Sequence, residues 1–290
     1  MVTGRAEYVL QSEVRTTTLP SGERIPVLGL GTWRMAEQAR ARREEIDALR
    51  LGIDLGMTLI DTAEMYADGA AEELVGEAIE GRRDEVFLVS KVLPSNGGTT
   101  ATVRACESSL RRLRTDRLDL YLLHWRGSTP LGETVDAFTR LVDDGKVRHW
   151  GVSNFDVSDM EELAALPAGG AVATDQVVYS LARRGIEHDL LPYCLARSIP
   201  LMAYSPLDQG RLLGHPVAQT VAGRHGASSA QVALAWVLRH DGVNAIPKAG
   251  SPEHVRENHQ ALDLELTDED LADLDQAFPP PAERRPLGIL

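Results

Sequence analysis

Four residues whose types could together move a proton stand at or just after the ends of short apolar runs. Leu118-Asp-Leu-Tyr-Leu-Leu-His124-Trp125 reads as a short buried strand that stops on an imidazole beside an aromatic. A run of that kind ends on a histidine where the strand end faces something polar. Thr58-Leu-Ile-Asp61 ends on a carboxylate, with Tyr66 five residues on, and Val86-Phe-Leu-Val-Ser-Lys91 ends on an ammonium. An ammonium in such apolar company is desolvated and calls for a carboxylate partner. Asp61, on the preceding strand, is the natural one.

The chemistry follows from charge. A free phenol has a pKa of about 10, too high for ready donation near neutrality. A neighbouring ammonium stabilises the phenolate and lowers that value. The expectation is therefore Tyr66 as general acid for reduction of a carbonyl and general base for the reverse, Lys91 tuning it, Asp61 holding Lys91, and His124 hydrogen-bonding the carbonyl oxygen. No side chain supplies two electrons, so the pattern calls for a reduced nicotinamide.

The rest of the chain must bring these strand ends to one rim. Apolar runs recur at Ile25–Gly31, Thr58–Asp61, Val86–Lys91, Leu118–His124, Val147–Asn154, Thr174–Tyr179, Pro200–Tyr204 and Val243–Ile246. Helix-like sequence follows each, and alternation of this kind predicts a parallel sheet with helical crossovers. Eight units in this length predict an α/β fold: a single (β/α)8 TIM barrel over 1–290, with a short N-terminal hairpin around Thr16–Glu23 and extra C-terminal helices. Barrels of this class place function at the C-terminal strand ends, where these residues fall. An open dinucleotide-binding sheet would need Gly-x-Gly-x-x-Gly after its first strand. Gly29-Leu-Gly31-Thr-Trp-Arg34 starts that way but carries arginine at the third glycine position.

Composition narrows the class. The net charge is −13, with no basic stripe, which argues against nucleic acid as a partner. No apolar run approaches the ~20 residues of a membrane span, and the N-terminus, MVTGRAEYVLQSEV, lacks a secretory core. Cys106 and Cys194 have no metal-ligand spacing, so two reduced thiols in a cytoplasmic protein without a metal are expected. Only Lys91, Lys146 and Lys248 are lysine among 30 basic residues, so a retained lysine hints at a need for an amine. None of the six tyrosines has lysine four residues on, as a short-chain dehydrogenase would require, and no His-x-His pair suggests a metallohydrolase.

These motifs resemble those of the aldo-keto reductases over about Thr18 to Phe278: Gly29-Leu-Gly-Thr-Trp33, Asp61-Thr-Ala-Glu-Met-Tyr66, Ser90-Lys91, Leu120-Tyr-Leu-Leu-His124-Trp125, Gly145-Lys-Val-Arg-His-Trp-Gly-Val-Ser-Asn154, Ala203-Tyr-Ser-Pro-Leu207 and Ile246-Pro-Lys248. The resemblance implies a barrel that binds NADP(H) extended across its mouth, with Asp61, Tyr66, Lys91 and His124 catalytic. It implies that Ser153, Asn154 and Gln176 hold the nicotinamide carboxamide and that Tyr204 stacks on the ring. Ser205 and Leu207 would line the pyrophosphate, Lys248 would meet the 2′-phosphate, and Asn258 would lie near the adenine. Where many members carry an arginine six residues after that lysine, this chain has His254, with Arg256 two positions later. NADPH is thus the expected cofactor, through Lys248 and Arg256, with NADH as the alternative.

Trp33, His124 and Trp125 would line a pocket for small or flat carbonyls. Arg126-Gly127 stands where proline is common, and the short proline-rich tail after Phe278 is expected to leave the mouth open. The pattern is most similar to bacterial members that act on small aldehydes such as methylglyoxal. A regulatory NADP(H) sensor on the same barrel would keep the four residues too and is the alternative. The oligomeric state is left open, a monomer being the simplest form.

Overall fold

The alternation read from the sequence becomes a closed ring of strands wrapped by helices in the computed structural model, which describes residues 13–290. Most of the N-terminal stretch read above as lacking a secretory core lies outside the described residues. β1 (Thr16–Thr18) and β2 (Arg24–Pro26) pair antiparallel through a turn in which Gly22 takes φ +88°. Eight parallel strands follow: β3 (Leu30–Gly31), β4 (Leu59–Asp61), β5 (Phe87–Val92), β6 (Leu118–Leu123), β7 (Val147–Ser153), β8 (Asp175–Val178), β9 (Leu201–Tyr204) and β10 (Val243–Ala245). Each pairs with its sequence neighbour, as short helical crossovers require. Last meets first through Gly29 N–H donating to Ala245 O at 2.8 Å, Ala245 N–H to Val27 O at 2.7 Å and Gly31 N–H to Pro247 O at 3.0 Å. Gly31 allows this seam, because a Cβ there would lie 2.6 Å from Ile246 O.

One expected strand is divided. Ile25–Gly31 was read as one run, but its first residues belong to β2 and only Leu30–Gly31 enters the barrel sheet. Ile25, with Leu19, joins the apolar cluster inside the barrel.

Strand periodicity sorts the apolar side chains into two sets. Leu59, Phe87, Val89, Leu120, Leu122 and Met202 cluster with Leu19 and Ile25 and with no helix residue, so they fill the barrel. Leu30, Ile60, Leu88, Tyr121 and Leu123 alternate with them and pack outwards against the helices. The crossover helices are α1 (Arg42–Asp54), α2 (Ala70–Ala78), α3 (Thr99–Leu113), α4 (Leu131–Asp143), α5 (Val157–Ala164), α6 (Leu190–Leu195), α7 (Pro216–His225) and α8 (Ser229–Val237). α9 (Pro252–Gln260) and α10 (Asp268–Ala277) follow the last strand. Thr267 caps α10 in a reciprocal box with Asp270, and Asp268, Glu269 and Asp270 make its first turn acidic. Cys106 and Cys194 are free and buried. Among the described residues no helix is long and apolar enough to cross a membrane.

Candidate active site

The alternation that puts Leu59, Phe87, Val89, Leu120 and Leu122 inside the barrel also puts Asp61, Lys91 and His124 inside, one step nearer its C-terminal rim. There the filling changes from apolar to ionic. Lys91 is wholly buried, and its Nζ donates to Asp61 Oδ2 at 2.7 Å and to Thr62 O at 2.9 Å. Tyr66 Oη lies 3.2 Å from the same Nζ, on the cleft side. The loop carrying Tyr66 is pinned by Glu64, whose Oε1 accepts from Leu93 N–H at 2.7 Å and from Asn96 Nδ2 at 3.0 Å. Ala67 and Asp68, just beyond it, hold left-handed conformations (φ 48° and 52°), a cost that non-glycine residues bear mainly at functional loops.

Both Asp61 oxygens accept from N–H donors, Oδ2 from Lys91 and Oδ1 from Gln176 Nε2 at 2.8 Å, so the group sits there as a carboxylate. Burial pushes its pKa above the ordinary value, against the charge and hydrogen bonds of Lys91 and the amide of Gln176. Burial works against the Lys91 cation, but the charges of Asp61 and Tyr66 and their hydrogen bonds outweigh it, and its pKa is raised. The ammonium stays charged.

The expected lowering of the Tyr66 pKa does not hold. Burial of the phenol is the largest influence and raises its pKa above the ordinary value; the Lys91 charge pulls it down, and Asp61 pushes it up again. A carboxylate close enough to hold the lysine is also close enough to oppose it. Tyr66 is consequently protonated throughout the neutral range.

His124 is held neutral. Burial first, and the Lys91 charge second, lower its pKa to about 2. Its Nδ1 is sealed without a partner. A buried N–H with no acceptor is rarer than an under-used acceptor, so the ring proton belongs on Nε2. His124 then offers one N–H. Its ring lies 5.9 Å, edge-on, from Tyr66 and 5.0 Å from Trp125.

A cleft of about 690 Å³ opens above these groups, and its lining includes Trp33, Tyr66, His124 and Trp125 together with Lys248, His254 and Asn258. Ser153, Asn154, Gln176, Tyr204, Ser205 and Leu207 line it as well. Lys91 is the floor beneath the cleft. Asn154 is left-handed (φ 59°), and its amide donates to His124 O at 3.0 Å and to Ser153 Oγ at 3.1 Å while accepting from Tyr204 Oη at 2.9 Å. Lys248 forms no ion pair or hydrogen bond among the described residues, leaving a free cation on the cleft wall.

Arg256 is not part of the cleft. Its guanidinium turns back to Pro252 O at 3.4 Å on the solvent side of α9. His254 and Asn258, four residues apart, share the cleft face, and a residue midway between them points the other way. Nor is the mouth left open as expected: Ile289 and Leu290 return to border the cleft, with Leu290 N–H 3.4 Å from Tyr204 Oη. Sequence reasoning also passed over Glu64 and Arg34. Glu64 sits inside the Asp61–Tyr66 motif, but its role is set by contacts to Leu93 and Asn96, 29 and 32 residues away in the chain. Arg34 lies over the Trp33 ring at 4.5 Å.

Residues 27–278 match the aldo/keto reductase family. The methylglyoxal reductase YeaE of Escherichia coli (strain K12) is 55% identical over 271 residues, covering 92% of this chain and 95% of that protein. The glyoxal reductase of Bacillus subtilis (strain 168) is 38% identical over 263 residues, 90% of this chain and 91% of that one. An aldo-keto reductase from Klebsiella pneumoniae, solved in complex with NADPH, superposes with a TM-score of 0.94 at 54% identity, covering 96% of this chain and all of the other (100%).

Proposed function

The chain belongs to the aldo/keto reductase family, and from that premise we propose that it reduces small aldehydes, methylglyoxal among them, to alcohols with NADPH, Tyr66 donating the proton. The observation that carries the proposal is the Tyr66 hydroxyl, on the wall of the cleft, resting 3.2 Å from an ammonium that a carboxylate holds at 2.7 Å. The residues fit the cofactor: Lys248 is an unpaired cation suited to a phosphate, and Gln176 presents a free acceptor to the cleft where a carboxamide would lie. Bound there, a reduced nicotinamide supplies the hydride. Ser153, Asn154 and Gln176 would orient its ring and Tyr204 would stack on it, while Ser205, Leu207, His254 and Asn258 would line the remainder of the dinucleotide. Lys248 would take the 2′-phosphate, which favours NADPH over NADH.

On the substrate side, His124 Nε2–H hydrogen-bonds the carbonyl oxygen and aims it between itself and Tyr66. As negative charge grows on that oxygen, the Tyr66 proton moves to it, and the Lys91 ammonium stabilises the phenolate left behind. Trp33 and Trp125 give the pocket flat apolar walls, suited to small carbonyls. This reading takes the protein as a single domain, cytoplasmic, with a small-molecule substrate and no nucleic-acid partner.

The test is turnover. Wild-type protein should consume NADPH with methylglyoxal and other small aldehydes. Tyr66→Phe should lose roughly 10²–10⁴ in kcat, the usual worth of a general acid, while NADPH affinity stays within about twofold. Cofactor binding without consumption on any carbonyl in a broad panel would favour a sensor and end the proposal.

A further inference from the structure

Gln176 and Asp61 are 115 residues apart in the chain yet meet across the top of the barrel, on strands whose inward side chains share a layer. Gln176 Nε2 donates to Asp61 Oδ1 at 2.8 Å and contacts Met202 Sδ at 2.9 Å. A glutamine side chain can ordinarily turn over and exchange its donor and acceptor ends. This one is constrained. A carboxylate has only acceptors to offer, so the amide end facing Asp61 must be the NH₂. Both N–H bonds are then occupied, one by Asp61 and one by Met202. What remains is Oε1, which has no partner among the described residues, is not sealed from solvent, and belongs to a side chain that lines the cleft.

We propose that Asp61 has a second task besides holding Lys91: it locks the Gln176 amide so that only a carbonyl faces the cleft, and this acceptor reads the NH₂ of the cofactor's carboxamide. Asp61 is thereby a positioning residue for the nicotinamide ring, and the ion pair under Tyr66 and the grip on the cofactor are two ends of one buried network. The inference rests on the cofactor reading above.

The lock has a direct signature. In Asp61→Asn, Lys91 still needs an acceptor and takes the asparagine Oδ1, which leaves the asparagine NH₂ facing Gln176. Gln176 then has to turn over and presents N–H to the cleft. The readout is binding, by fluorescence quenching or calorimetry, of NADP⁺ against its 3-acetylpyridine analogue, in which a methyl ketone replaces the carboxamide. The analogue carries the same charge but no N–H. Wild type should favour NADP⁺ by about 3- to 10-fold, the range for one neutral hydrogen bond. Gln176→Met should bring the ratio to about one. Asp61→Asn should abolish the preference or invert it. If Asp61→Asn does not fold, Asp61→Asn/Lys91→Met removes the unpaired buried cation, and its ratio should also fall to about one. A wild-type ratio retained in the Asp61 variants, or in Gln176→Met, would overturn the inference while leaving the reductase reading intact. Failure of wild type to bind either dinucleotide would instead sink the cofactor reading itself.

Discussion

Replacing Lys91 with methionine tests the arrangement at its centre, because the aliphatic stem is preserved and only the charge is lost. The ammonium lies 3.2 Å from the Tyr66 oxygen, where a unit charge interacts with a phenolate by on the order of 5 kcal/mol at an effective dielectric of about 20. The proton is part-transferred at the transition state. If about half of that interaction is expressed there, the barrier rises by ~2–3 kcal/mol and kcat falls roughly 10²-fold. The assay is kcat for NADPH-dependent aldehyde reduction at saturating cofactor, with NADPH binding measured alongside to confirm an occupied site. Stability changes too, since removing one partner of a buried pair costs about 3–5 kcal/mol. The sign with pH is fixed. Burial already raises the Asp61 pKa and Lys91 lowers it, so without Lys91 the folded-state value rises further above the unfolded one. The stability deficit is smallest at acid pH and grows as pH climbs above the ordinary carboxylate range. Should Lys91→Met keep kcat within about threefold of wild type, the ammonium does not serve the phenol. Recovery of full activity in Asp61→Asn/Lys91→Met would mean that Lys91 acts only to neutralise Asp61.

Two further outcomes follow from the same geometry. Because His124 is neutral down to about pH 2 and the Tyr66 pKa lies above its ordinary value, the chemical step of reduction should show no inflection near pH 6.5 and should decline only at alkaline pH, whereas alcohol oxidation, which needs the phenolate, should climb with pH; a single-turnover reduction profile with a break near about pH 6.5 would reveal a titrating imidazole instead. Lys248→Ala should weaken NADPH about 10- to 100-fold, the worth of a charge-assisted contact, and NADH by less than about twofold, while Arg256→Ala changes neither; equal losses for both cofactors in the Lys248 variant would move the 2′-phosphate elsewhere.

Much of this site was legible in the chain because barrel strands follow a simple rule. A residue in phase with the inward apolar positions, at the end of a run, arrives at the rim. Asp61, Lys91 and His124 each satisfy it, in phase with Leu59, Val89 and Leu122. What the rule does not carry is contact across the barrel. The Gln176–Asp61 bond joins strands with no sequence relation, and the return of Ile289–Leu290 to the cleft depends on where a proline-rich tail is led. Helical phase was legible but unused: Arg256 is two residues from both His254 and Asn258, which puts it on the opposite face. The Tyr66 pKa departs from the sequence expectation for a different reason. The sequence names the charges, but burial, the largest influence here, belongs to the packed structure.

That burial also explains why the apolar filling beneath the site does more than stabilise the barrel. Leu59, Phe87, Val89, Leu120 and Leu122 exclude water from below the ion pair, so the Lys91 charge is weakly screened where it faces Tyr66. The same exclusion holds the phenol above its ordinary pKa and the imidazole far below its own. A protonated phenol and a neutral imidazole bearing its proton on Nε2 are both donors, and an oxygen gaining negative charge needs both. The resting site is therefore set for reduction: oxidation must first take a proton from a group whose surroundings resist losing it. Letting water in from below, for example by cutting back Leu122, should ease that resistance and bring the alkaline rise of alcohol oxidation to lower pH. If such a variant oxidised alcohols with an unshifted profile, dehydration by the barrel core would not be what holds Tyr66 protonated.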